Sequence, residues 1–243
     1  AMLNQCDRVL AVSRFVRSKF IAMGVQPDRI ATLHIGSRMT QLAREFRSSR
    51  HRRPDSLVDG AGRPLRPIRL AFMGYNNWYK GLPMLADSLD LLVPEVLARF
   101  HLHVYALEGK QMEPQFRALE PRLGGLTLVH GYEYERIPEL LEGIDLGLVT
   151  SVWWDNAPQT VMEFASCGVP VLAAELGGIP DFVRDGENGL LFRGNDRWDF
   201  ARRLASIAAN PGVIPALAAR VVAPKTMAEH VGELERLYAD RLS

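Results

Sequence analysis

Cysteine is scarce: Cys6 and Cys167 are the only two in 243 residues, and they stand far apart at no metal-ligand spacing. The sequence therefore encodes no cysteine metal site, and Cys167 reads as a small buried hydrophobe suited to a reducing compartment. A surplus of either charge is also missing, with 29 basic against 28 acidic side chains, which argues against nucleic acid as a partner. No apolar run approaches the ~20 residues needed to span a bilayer, and there is no charged leader followed by an apolar segment. Internal repeats and low-complexity segments are absent. Gly74 has no second and third glycine at dinucleotide spacing, which argues against an NAD site. What remains is a chain 47% hydrophobic, enough for one large domain or a domain with an appendage.

The informative residues lie between Asp155 and Pro180. Asp155 to Glu163, then Cys167-Gly168-Val169-Pro170-Val171, then Gly177-Gly178-Ile179-Pro180 read as loop, helix, buried strand and Gly-rich turn. In a parallel sheet such a unit places a nucleotide pocket at the carboxyl ends of the strands. Asn156 is the expected N-cap, Pro158 is tolerated in the first turn, Gln159 takes the capping-box position and Gly168 fits a left-handed stop. A helix is thus predicted over 157–167. Helical spacing groups Gln159, Thr160, Glu163 and Ser166 on one face and Val161, Met162, Phe164 and Ala165 on the face to be buried. Glu163 is expected to face whatever the free N–H groups of the first turn bind. Those groups favour a phosphate, and a carboxylate deeper along the helix suits a pair of ribose hydroxyls. Taken alone, the same residues also describe a capped amphipathic helix with a solvated Glu.

From about Ile68 onward the chain resembles the C-terminal, donor-binding domain of a GT-B glycosyltransferase of the retaining, nucleotide-sugar-dependent family 4. That family carries a Glu, seven residues and a second Glu, then a Gly-Val-Pro-Val strand and a Gly-Gly-x-Pro-Glu turn. Here Asp155 takes the first acidic position and Glu163 the second, with Gly168 to Val171 and Gly177-Gly178-Ile179-Pro180-Asp181 following. The stretch Asp185 to Phe192 resembles the next hairpin. Upstream, Ile68 to Gly74 and Tyr75 to Gly81 resemble the first strand and loop of that domain, with Lys80 at the position of a pyrophosphate-neutralising Lys. A second expected cation, an Arg, is replaced by Tyr75 or Asn76. Losing one charge-assisted hydrogen bond of ~1.5–3 kcal/mol weakens leaving-group stabilisation by roughly one to two orders of magnitude.

The resemblance implies an α/β fold, a Rossmann-like parallel sheet with helices on both faces forming the C-terminal half of a GT-B fold. It implies Asp155, Glu163 and Lys80 as catalytic residues, and Gly74, Tyr132, Asn156, Ala157, Thr160, Gly177 and Gly178 as donor-binding residues. The nucleobase would lie near Tyr132, the ribose on Glu163, and the diphosphate on Lys80 and the amides near Ala157 to Thr160. Transfer would go to an acceptor hydroxyl on a sugar, lipid-linked molecule or protein, with retention, in glycan or glycoconjugate biosynthesis. No cofactor is implied, and the lack of an Asp-x-Asp motif favours metal-independent binding of the donor. Asp155 and the replaced Arg leave open a binding or scaffolding module that has lost turnover; another GT-B enzyme, such as a nucleotide-sugar epimerase, fits the motif order less well.

Residues 1–45 resemble the last βαβ element of that family's N-terminal acceptor domain, residues 46–67 a basic linker, and 68–243 the nucleotide-sugar-binding domain. The chain thus reads as a fragment of a longer protein, able to bind donor and not to turn it over alone. Arg44, Arg47, Arg50, Arg52 and Arg53 cluster beside His51, either as a solvated linker or as a foothold on anionic lipid. The expected location is cytoplasmic, at the membrane face if lipid is met. Strands are predicted near 68–73, 102–106, 126–130, 146–150 and 169–173, and helices near 82–97, 112–119, 137–142, 196–209 and 227–242. Trp153 and Trp154 offer faces to a sugar or base, or anchor their loop. His101 and His103 alternate along a strand and read as a polar sheet face rather than metal ligands.

Overall fold

The computed structural model describes residues 2–49, 56–75, 78–107 and 109–242. Arg50, His51, Arg52 and Arg53 of the basic cluster, and Asn76 at the replaced Arg position, lie outside the described residues.

A small parallel pair comes first, made of β1 (Val9–Ala11), α1 (Arg14–Ala22) and β2 (Ile30–Thr32) around Ala11, Val25 and Ile30. Ser13 starts α1, its hydroxyl accepting the Val16 amide at 3.2 Å. Next comes α2 (Arg38–Ser48), a continuous helix that runs across position 45 and packs on the larger unit. Its Met39, Thr40 and Ala43 are buried; the Thr40 hydroxyl sits 3.0 Å from that of Ser166 and donates to the Pro224 carbonyl at 2.9 Å. Arg47 donates to the Ser166 carbonyl at 2.9 Å, so one of the clustered arginines holds two helices together.

The main unit runs β3 (Ile68–Tyr75), α3 (Leu82–Asp90), α4 (Pro94–Leu97), β4 (Phe100–Leu107), α5 (Glu113–Leu119), β5 (Gly125–His130), α6 (Ile137–Leu140), β6 (Leu146–Val149) and α7 (Gln159–Ser166). It continues through β7 (Val171–Ala174), β8 (Leu190–Phe192), α8 (Arg197–Ala209), α9 (Val213–Ala218) and α10 (Met227–Leu242). Strands β3 to β8 form one parallel sheet in the order β5-β4-β3-β6-β7-β8. Strands buried on both faces read as continuous apolar runs, and Leu70, Phe72, Leu102, Leu146, Leu148 and Leu172 accordingly form the centre of the core. With helices on both faces this is the expected α/β architecture. Its winding reverses between β3 and β6, which opens the crevice where such sheets bind ligands.

Three local expectations change. The helix over 82–97 splits into α3 and α4 because Pro94 drives Val93 to an extended ψ of 152°. The hairpin at 185–192 is a closed turn leading into β8, which runs parallel to β7. Its side chains satisfy the turn locally: Asn188 accepts the Arg184 amide at 2.7 Å and Asp185 the Leu191 amide at 2.8 Å. The helix over 157–167 shortens, for reasons that belong to the site. Elsewhere the punctuation holds: Asp196 caps α8 through the Trp198 and Asp199 amides at 3.0 and 2.9 Å.

Candidate functional site

The loops after β3, β6 and β7 are fastened to one another at the carboxyl edge of the sheet. Gly81, just after Lys80, has φ +77°, and a Cβ there would stand 1.7 Å from the Thr150 carbonyl oxygen, so only glycine lets the loops approach this closely. The Thr150 hydroxyl donates to the Gly81 carbonyl at 3.0 Å, and the Val152 amide to Tyr79 at 2.9 Å. This fastening brings the Lys80 ammonium to 3.3 and 3.4 Å from the two Asp155 carboxylate oxygens, one of which also accepts the Ser151 hydroxyl at 3.1 Å. Both side chains are about three-quarters buried, at 25% and 24% exposure.

The third loop closes over the second. Gly177 has φ +57°, and a Cβ would meet the Asp155 carbonyl oxygen at 2.5 Å; the Gly178 amide donates to that same oxygen at 2.6 Å. These contacts hold the backbone of Asp155 and Asn156 under the turn, which is why α7 begins at Gln159 and not at 157. Pro158 takes the N-cap position, no side chain caps the helix, and exposed Asn156 does not make the expected cap. Ala157 lies just ahead of the helix and half-buried Thr160 in its first turn, whose N–H groups have no partner along the helix. At the other end the predicted stop is present: Gly168 and Val169 amides return to the Ala165 and Phe164 carbonyls at 3.0 and 2.9 Å.

Glu163 departs from expectation. Helical spacing placed it on the open face, yet it is buried at 9% exposure, because α2 packs on α7 along that face and fixes its neighbour Ser166. Burial pushes the Glu163 carboxyl up to about 7 against the opposing charge of Lys80. Among the described residues no hydrogen bond reaches it. A buried carboxylate left so poorly compensated beside a cation is the kind of group that collects at functional sites. Tyr134 is a neighbour the sequence did not reveal; burial and then the Glu163 charge raise its hydroxyl. Thr150 and Ser151, buried directly after β6, are further neighbours that the sequence pattern does not mark.

Gly74 is buried near the carboxyl end of β3. Tyr132 follows β5, two strands away from β3 in the sheet order, and packs half-buried on the core. Lys80, Asp155, Glu163, Gly177 and Gly178 therefore come together. Trp78 and Trp153 meet edge to face at 6.0 Å, both mostly exposed. None of the three described cavities is lined by Lys80, Asp155 or Glu163. One, of about 680 Å³, sits at the opposite edge of the sheet, between α2, α9 and the starts of β6 and β7. The two histidines lie along the sheet face: His101 contacts Thr127 at 3.0 Å, and His103 contacts the Tyr105 hydroxyl through Nδ1 at 3.2 Å, while its buried Nε2 has no hydrogen-bond partner among the described residues. Burial pushes His103 down to about 4. Among the described residues no group of three or more His, Cys, Asp or Glu side chains is placed to hold a metal ion, and no helix is long and apolar enough to cross a membrane.

A cation, a buried acid, free helix amides and a Gly-Gly turn on one sheet edge can hold an anionic, hydroxyl-rich ligand. Residues 67–210 match the family model of glycosyl transferases group 1. The chain is 49% identical over 223 residues to a D-inositol 3-phosphate glycosyltransferase of Kribbella flavida, covering 87% of this chain and 50% of that protein. A protein of the same name from Thermobifida fusca is 27% identical over 234 residues, covering 87% and 49%. The chain thus spans about half the length of these curated relatives. Among solved structures, Anabaena HepE in complex with UDP superposes with a TM-score of 0.74 at 18% identity, covering 98% of this chain and 65% of that one. Sucrose-phosphate synthase of Thermosynechococcus elongatus superposes with a TM-score of 0.72 at 18% identity, covering 99% and 60%. The chain belongs to the group 1 glycosyltransferase family, and its six-stranded sheet is the C-terminal domain of a GT-B fold.

Proposed function

We propose that this chain binds the nucleotide-diphosphate sugar donor of a retaining glycosyltransferase acting in glycan or glycoconjugate biosynthesis. The observation that carries the reading is the convergence of Lys80, Asp155, Glu163 and the Gly177-Gly178 turn around the first turn of α7. The diphosphate lies on Lys80 and the amides of Gln159 to Val161, the ribose on Glu163, and the sugar between Asp155 and the Gly-Gly turn. The base extends along the strand ends toward Tyr132. Cleavage of the anomeric bond puts negative charge on the departing diphosphate, and fixed donors stabilise it. The acceptor hydroxyl, on a sugar, lipid-linked molecule or protein, arrives from the opposite side. Donor binding proceeds without a bridging metal, so excess chelator leaves it unchanged.

Support comes from the group 1 family match and from HepE, whose solved complexes contain UDP, glucose and UDP-glucose. Titration with uridine and guanosine diphosphate sugars, read by melting temperature, tests the reading; a ligand at ~100 times its dissociation constant adds ~2.7 kcal/mol. No response to any donor, or a response unchanged in Glu163→Ala, overturns it. One observation favours a second reading, a binding module without turnover: Asp155, a methylene shorter than Glu, has its carboxylate taken up by Lys80 and Ser151. Donor binding with no transfer by the full-length protein would select that reading.

A further inference from the structure

Helix α1 touches both loops that border the sugar end of the candidate site. On one side Phe15 meets Trp154 edge to face at 5.6 Å, and the Lys19 ammonium lies 4.4 Å from the centre of the Trp154 ring, directly before Asp155. On the other side Asp181, three residues after Gly178, accepts the Arg14 amide at 2.6 Å, the Arg14 guanidinium at 3.0 Å and His34 at 3.0 Å. The buried Ser13 hydroxyl lies 3.0 Å from where a Cβ on Gly178 would stand. The Asp181 side chain is only 6% exposed and both its oxygens are occupied, so it acts through the backbone it holds rather than on a ligand. Burial raises this carboxyl, and the hydrogen bonds from Arg14 and His34 overcome that to leave it below the usual carboxylate range.

We propose that the first turn of α1 is a brace for the sugar end of the donor site, with Arg14 and Phe15 as positioning residues. Arg14 fixes the Gly177-Gly178 turn through Asp181, and Phe15 fixes the Asp155 loop through Trp154. The brace rests on the donor-site reading above. Arg14 and Phe15 act on the two loops that border the sugar, while the diphosphate contacts lie on Lys80 and α7. Removing the brace therefore changes recognition of the sugar and spares that of the nucleotide.

The test compares Arg14→Ala, Phe15→Ala and the double variant with the wild-type chain by calorimetric titration with UDP and with UDP-glucose, and by amide hydrogen exchange. In the variants UDP affinity stays within about two-fold, while the ratio of UDP-glucose to UDP affinity falls about ten-fold, the equivalent of one lost hydrogen bond. Amides at 153–156 and 176–181 exchange faster, and those pairing β3 with β6 are unchanged. Parallel losses for both ligands, or an unchanged ratio, overturn the brace. If the wild type binds neither ligand, the donor reading fails for uridine nucleotides, and unchanged exchange at 153–156 and 176–181 separately removes the brace.

Discussion

Replacing Glu163 by glutamine sets stability against binding, and the pH dependence of that trade is fixed by the structure. In the unfolded chain the carboxyl ionises near 4.5, whereas burial in the folded protein pushes it up to about 7. Below pH 4.5 both states hold the proton, and wild type and variant differ little. Between those values the unfolded chain has released its proton and the folded one has not, so wild-type stability falls as pH rises. The loss is complete above about pH 7. At about 1.4 kcal/mol per pH unit, the ceiling is about 3 kcal/mol. Glutamine has nearly the same shape and no charge to bury. Glu163→Gln is therefore more stable than wild type by up to about 3 kcal/mol at pH 8, a rise of roughly 6 °C or more in Tm. Its nucleotide affinity at pH 8 falls by about ten-fold, because a neutral amide replaces a charge-assisted acceptor. Denaturant titrations of both proteins from pH 4.5 to 8, with UDP binding at pH 8, make the comparison. A variant less stable than wild type at pH 8, or a difference that does not vary with pH, refutes the placement of an uncompensated acid in the interior.

Other substitutions probe what holds the fold. Arg66 donates to both Asp145 oxygens at 2.6 and 2.9 Å, with the two side chains 14% and 11% exposed; Arg66→Ala leaves that carboxylate the Arg69 amide at 2.7 Å and lowers unfolding free energy in denaturant by about 1.5–3 kcal/mol. Gly81→Ala forces a methyl onto the Thr150 carbonyl in a left-handed conformation, so loss of about 3 kcal/mol or more is expected by denaturant unfolding, together with loss of donor response. His103 is held neutral in the fold down to about pH 4 while the unfolded chain takes up its proton near 6.5. Stability therefore declines as pH falls through that window, and His103→Asn flattens the decline in thermal melts.

The main architecture was legible because each strand of a doubly covered sheet is a short apolar run bounded by turn residues. Gly168 and Asp196 could likewise be read from local chemistry alone, since a left-handed stop and a helix cap are satisfied within a few residues. The errors fall where distant chain decides. Asn156 lost its cap to the Gly177-Gly178 turn, about twenty residues later in sequence, which holds the backbone beneath it. Glu163 obeyed the helical spacing, yet α2, more than a hundred residues earlier, covers the face that spacing left open. Tyr134 joins the acid only through the fold, and no linear pattern ties the two.

The hydroxyl of Ser166 gives the molecule a common knot. Thr40 of α2 lies against it, the Thr40 hydroxyl reaches on to Pro224 ahead of α10, and Arg47 grips the Ser166 carbonyl. Two segments nearly two hundred residues apart in sequence are thereby tethered to the final turn of α7, three positions beyond the buried acid. Tension in either segment is delivered to the element that carries Glu163.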